Sequence, residues 1–131
     1  MQYITPFYAA IAALIFLLLS VRTLLLRKKL QIAVGDGGDE NMLRAIRVHG
    51  NFAEYAPFTL LLILMLELNG GAPQAIHGLC VLLLTGRVFH AWGVRKVREN
   101  LAFRVAGMAL TFTSLLFATL GILYLAFARA A

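Results

Sequence analysis

The chain has 131 residues and a net charge of +6, with 61% hydrophobic and only 14% charged residues. That balance excludes an ordinary soluble domain, in which about 25% of residues are charged. It also gives no nucleic-acid footprint, because the basic residues gather at the ends of apolar segments instead of in one patch. A spanning helix takes about 20 apolar residues, so four spans and short loops fill the chain as one all-α integral membrane domain over 1–131.

The first span is expected at 5–26. It has no basic stretch before it and no small-residue cleavage site after it, and its apolar run exceeds a signal-peptide core, so it reads as a retained span. Arg27, Lys28 and Lys29 follow it. The loop Gly35-Asp36-Gly37-Gly38 suits backbone turns and lacks the lysine and serine of a phosphate loop. Asp39 is placed to cap the next helix, with Glu40 in its first turn.

The second span is expected at 41–68. Its first half is amphipathic and its second half apolar. Pro57 removes one backbone donor, which predicts a kink near 53–57. Asn69-Gly70-Gly71-Ala72-Pro73 is a tight turn that makes spans two and three antiparallel neighbours. The third span, 74–94, carries Arg87 and His90. A basic loop around Arg95, Lys96 and Arg98 leads to the fourth span, 101–127, with Arg104 one turn inside it. The first and third loops are basic and the second is not. The positive-inside rule then puts both termini on the non-cytoplasmic side. Lys28, Lys96 and Arg98 serve that topology and meet anionic headgroups.

Arg47, Asn51 and Glu54 are the residues that most need explaining. Steps of four and three put them on one helix face, with Arg44 and Phe58 on the same stripe. A charged side chain at a bilayer centre costs about 2.5–3.5 kcal/mol on insertion scales. Such a stripe must face protein, water or a ligand. Arg87, His90, Arg104 and Arg22 fall at a similar depth on the other spans. Arginines outnumber carboxylates there, which asks for an anion. The same residues could instead pair with one another and hold helices together. His49 points away from the stripe and reads as a packing or interface residue. His77 and Trp92 read as interfacial, Tyr55 as packing or ligand, and Gly107, Thr111 and Ser114 as small residues for close helix contact. Cys80 is the single cysteine, so no disulfide within the chain and no metal site are expected.

The segment Ile46-Arg-Val-His-Gly-Asn-Phe-Ala-Glu-Tyr-Ala-Pro57 resembles the second-helix signature of the MAPEG family, the microsomal glutathione transferases and related leukotriene and prostaglandin synthases. Gly86-Arg-Val-Phe-His90 is similar to the third-helix motif, and Arg104 falls where the family has an arginine early in helix four. The glycine-rich loop is similar to that of bacterial members. The resemblance implies a homotrimer of four-helix subunits, in a bacterial inner membrane, with glutathione as cosubstrate bound at subunit interfaces. It implies that Arg47, Asn51 and Glu54 hold glutathione, that Arg87 and His90 line the pocket, and that Arg104 sits near the thiol as the catalytic residue. The implied activity is that of a glutathione transferase or peroxidase on lipophilic electrophiles. The chain departs from the synthase pattern at two tyrosine positions, here Val94 and Met108. It also departs at the first-helix arginine, here Leu25, with Arg22 three residues earlier as its substitute. The reading of another class is a non-catalytic membrane protein whose polar cluster holds an oligomer or binds a lipid headgroup. A transporter is disfavoured by the lack of an inverted repeat.

Overall fold

The computed structural model describes residues 3–95, 97–98 and 100–130, with the side chains of Arg129 and Ala130 left out. Lys96, expected in the basic loop, lies outside the described residues. Those residues form four α-helices: α1 (Thr5–Leu30), α2 (Glu40–Leu68), α3 (Pro73–Val94) and α4 (Leu101–Ala130). Each has the length and apolarity needed to cross a membrane.

Helix ends follow local chemistry. Asp39 accepts from the Met42 amide at 2.8 Å and starts α2, with Glu40 in the first turn. The first helix runs four residues past the expected end. Arg27, Lys28 and Lys29, expected just after the span, form its last turn, where cations meet the negative end of the helix dipole. Gln31 then closes the helix in the left-handed region, at φ 58°. The α2 helix stays continuous through Pro57. Gly70, at φ 84°, makes the turn into α3.

The other end of α1 is capped from a distance. Glu67, in the last turn of α2, accepts from the amides of Ile4 and Thr5, the latter at 2.9 Å. Tyr8 and His77 Nδ1 lie 2.9 Å apart and tie α1 to α3 near the same end. His49 packs as expected: its ring stacks on Phe16 with centroids 4.7 Å apart, and Nε2 lies 3.0 Å from Ser20 Oγ.

The tightest packing joins α3 to α4. A Cβ on Gly86 would stand 2.7 Å from Thr111 Oγ1 and 2.8 Å from the Gly107 carbonyl. A Cβ on Gly93 would stand 2.6 Å from the Arg104 amide. Only hydrogen fits where these backbones meet, as small residues allow in membrane helices. Ser114 adds a bond from Oγ to the Leu79 carbonyl at 2.8 Å.

The half of the bundle near the α2–α3 turn has a dry core of Ile63, Leu66, Ile76, Leu79, Cys80, Leu83 and Ala118. Nearer the opposite end sits Arg87, only 1% exposed. Its Nε and Nη2 donate to Thr111 Oγ1 at 3.0 and 2.6 Å. Its Nη1 donates to Asn51 Oδ1 at 2.7 Å and approaches the Asn51 carbonyl at 3.3 Å. Nη2 lies 3.5 Å from Met108 Sδ, and the Tyr55 ring centroid is 5.6 Å from the guanidinium carbon. One side chain of α3 thus engages α2 and α4 together.

Two substitutions test this packing. Gly86→Ala should lower bundle stability by about 1–3 kcal/mol, as overpacking does, seen as a lower melting temperature in detergent. Gly78→Ala, which meets nothing within 4 Å, should leave it unchanged. Thr111→Val keeps the side-chain shape but removes the acceptor of two arginine donors, and should cost about 1–3 kcal/mol in the same measurement.

Candidate functional site

Three helix ends meet at the pole opposite the α2–α3 turn: the start of α2, the end of α3 and the start of α4. A cavity of about 290 Å³ opens among them. Each helix supplies side chains one turn apart, which share a face. From α2 come Leu43, Arg44, Arg47 and Asn51; from α3, His90 and Val94; from α4, Arg104 and Met108. Arg44 and Arg104 also have contacts elsewhere in the chain. His90 is 7% exposed.

The lining therefore has three arginines, and among the described lining residues there is no carboxylate. Guanidinium groups offer planar pairs of donors suited to carboxylates and other oxyanions. The arrangement can bind an anion, and Arg104 can stabilise negative charge that develops on a reacting atom beside it. The described residues hold no cluster of His, Cys, Asp and Glu able to bind a metal.

Of the residues singled out from sequence, Arg47, Asn51, His90 and Arg104 come together around this cavity. Three do not line it in a single chain. Arg87 lies behind the wall, bonded to Asn51 and Thr111. Glu54 is exposed halfway along α2, about 21 Å from the start of the helix at 1.5 Å per residue. Arg22 is exposed on α1, where its Nη2 lies 3.4 Å from the Arg95 carbonyl. It shares a groove with Leu18, Val21, Leu25, Leu26 and Lys29. Val94 and Met108, the positions that depart from the synthase tyrosines, are both in the cavity wall.

Sequence reasoning does not assign Leu43 or Arg44 to a site, although Arg44 lies on the Arg47 stripe. Thr111 is legible as a small packing residue but not as the acceptor that fixes Arg87. Trp92 is exposed, and the Arg95 guanidinium carbon stands 4.0 Å from its ring centroid. The indole and the cation together suit a membrane–water boundary.

The MAPEG family model matches residues 5–124. The inner membrane protein YecN of Escherichia coli strain K12 is 34% identical over 121 residues, which cover 92% of this chain and 91% of that protein. The protein of the same name from E. coli O6:H1 gives the same figures. No solved structure matches significantly. With four membrane-length helices and a family match across nearly all of them, the chain belongs to the MAPEG family.

Proposed function

We propose that the protein binds glutathione in the α2–α3–α4 cavity and acts as a glutathione transferase or peroxidase on lipophilic electrophiles. The observation that carries this reading is the convergence of Arg47, Asn51, His90 and Arg104 on one cavity whose described lining has no carboxylate. Glutathione has two carboxylates, two amides, one ammonium and a thiol. Arginine forks suit the carboxylates, and Asn51 suits the peptide part.

In this reading Arg104 acts on the thiol. A free thiol with a pKa of about 8.5 is only a few per cent thiolate at neutral pH. A cation beside it favours the thiolate and pulls that pKa down toward neutrality, so that a much larger fraction is ready to react. The thiolate then attacks a carbon electrophile and expels its leaving group. With a hydroperoxide the sulfur bonds the terminal oxygen as the O–O bond breaks, giving glutathione sulfenic acid and an alkoxide that takes up a proton to leave as the alcohol. A second glutathione then displaces water from the sulfenic acid to give the disulfide. Val94 and Met108 add apolar wall beside this point, where a lipophilic substrate can enter from the bilayer.

Glu54 is exposed in one chain, in the middle of a membrane helix. An uncovered carboxylate at that depth is costly. We propose the homotrimer that the family resemblance implies, in which a second copy covers this face of α2 and brings Glu54 within reach of the glutathione ammonium. In that arrangement Arg22 also lies at a subunit boundary. We place the trimer in a bacterial inner membrane, with its basic loops in the cytoplasm and its termini opposite.

The second reading is a non-catalytic protein whose polar cluster holds helices together or binds a lipid headgroup. The bond between Arg87 and Asn51 favours it, because two of the polar residues already satisfy each other. Calorimetry on the purified protein separates the two. Wild type should bind glutathione saturably, and Arg47→Ala and Glu54→Ala should each weaken binding by about tenfold or more, a loss of at least about 1.4 kcal/mol. No binding by a folded oligomer would leave the second reading. Arg104→Ala should lower turnover with a soluble test electrophile by about tenfold, as the bound thiol returns toward its ordinary pKa, while leaving affinity within a few-fold. Equal turnover would remove the thiolate role.

A further inference from the structure

We propose that Arg87 is a positioning residue that fixes Asn51 as a hydrogen-bond donor toward the cavity, so that the site selects ligands presenting acceptors at that point. The proposal rests on reading the cavity as a ligand site and specifies what that site demands.

The argument starts from what a guanidinium can do. It has five N–H donors and no acceptor. The Asn51 side-chain atom 2.7 Å from Arg87 Nη1 is therefore the carbonyl oxygen Oδ1. Turning the amide over would set its N–H groups against those of Arg87. With Oδ1 aimed behind the wall, Nδ2 is left on the cavity side of a residue that lines the cavity. Among the described residues, no group accepts a hydrogen bond from Nδ2.

Arg87 is not free to relax. Its Nε and Nη2 both donate to Thr111 Oγ1, and the Thr111 hydroxyl donates to the Gly107 carbonyl at 2.9 Å. The direction of every bond from Gly107 to Asn51 is thus set by the arginine. A backbone carbonyl on α4 and an amide on α2 are linked through a side chain of α3.

The consequence is a cavity wall dominated by donors. Arg44, Arg47 and Arg104 only donate, and Asn51 now joins them. Among the described lining residues His90 alone has a ring nitrogen able to accept. The preferred ligand group beside Asn51 is a carboxylate, a peptide carbonyl or another oxyanion. An ammonium there would meet a second donor.

The test uses the full chain in detergent, with glutathione and inorganic sulfate as probes. Asn51→Asp keeps an acceptor for Arg87 and replaces the Nδ2 donor with an acceptor. The variant should melt no lower than wild type, yet bind at least tenfold more weakly whichever probe wild type binds. If glutathione binds both proteins equally, the proposal falls and the glutathione reading stands. If only sulfate binds wild type and the variant loses it, the proposal stands and the glutathione reading falls. If neither probe binds wild type, both fall. Should the variant fail to fold, asparagine-labelled wild type supplies the readout by NMR. The Asn51 side-chain amide protons should move downfield at saturating probe, and unmoved signals would overturn the proposal.

Discussion

A guanidinium buried where three membrane helices meet constrains the rest of this protein. Arg87 is charged, almost wholly enclosed, and held by neutral partners among the described residues. Removing such a group from water is costly, so its donors must be met closely. Meeting them demands that α4 bring Thr111 within hydrogen-bond reach and that α2 bring Asn51. The first demand explains why Gly86 and Gly107 face each other with no room for a Cβ. The second fixes how α2 is rotated, and that rotation carries Arg47 and Leu43 into the cavity one and two turns away. Structure and site here share one set of contacts. The two interpretations of the polar stripe, helix glue and ligand site, are divided by residue: Arg87 ties helices, while Arg47 and Arg104 line the cavity.

Much of this is legible in the chain because membrane insertion is read locally. Hydropathy summed over about 20 residues finds the spans, and steps of three and four find a face. Asp39, Gly70 and the small residues of α4 are recognisable from chemistry that acts within a turn or two. The end of α1 lies beyond its expected place because a run of charge need not end a helix: Arg27, Lys28 and Lys29 complement its dipole. What a single chain hides is the relative rotation of helices. Arg87 and His90 are three residues apart on one helix, yet one is sealed behind the wall and the other lines the cavity. Thr111 is 24 residues from the arginine it serves. No periodicity within α3 or α4 names such a pair, because it depends on how closely the two backbones cross.

The bundle is chemically polarised along its length. Near the α2–α3 turn it is a dry apolar core, joined to α1 by the Glu67 carboxylate and the Tyr8–His77 pair. At the other pole it is cationic and hollow. Packing is shared along the bundle, with the apolar core toward one end and the glycine contacts of α3 and α4 toward the other. Interhelical hydrogen bonds in membranes average only about 0.6 kcal/mol, so the dry half and the glycine contacts carry most of the packing. In the polar half the tight α3–α4 crossing sets the spacing of His90 and Arg104 across the cavity.

The cap on α1 bears on how the protein is made. Thr5 emerges from the ribosome 62 residues before Glu67, the carboxylate that receives its amide. At about 5–20 residues per second, that is a wait of roughly 3–12 s. Through this interval the leading end of α1 has only water and lipid headgroups to satisfy it. The start of α1 is therefore anchored only after α2 has been made, when Glu67 reaches the same face of the membrane.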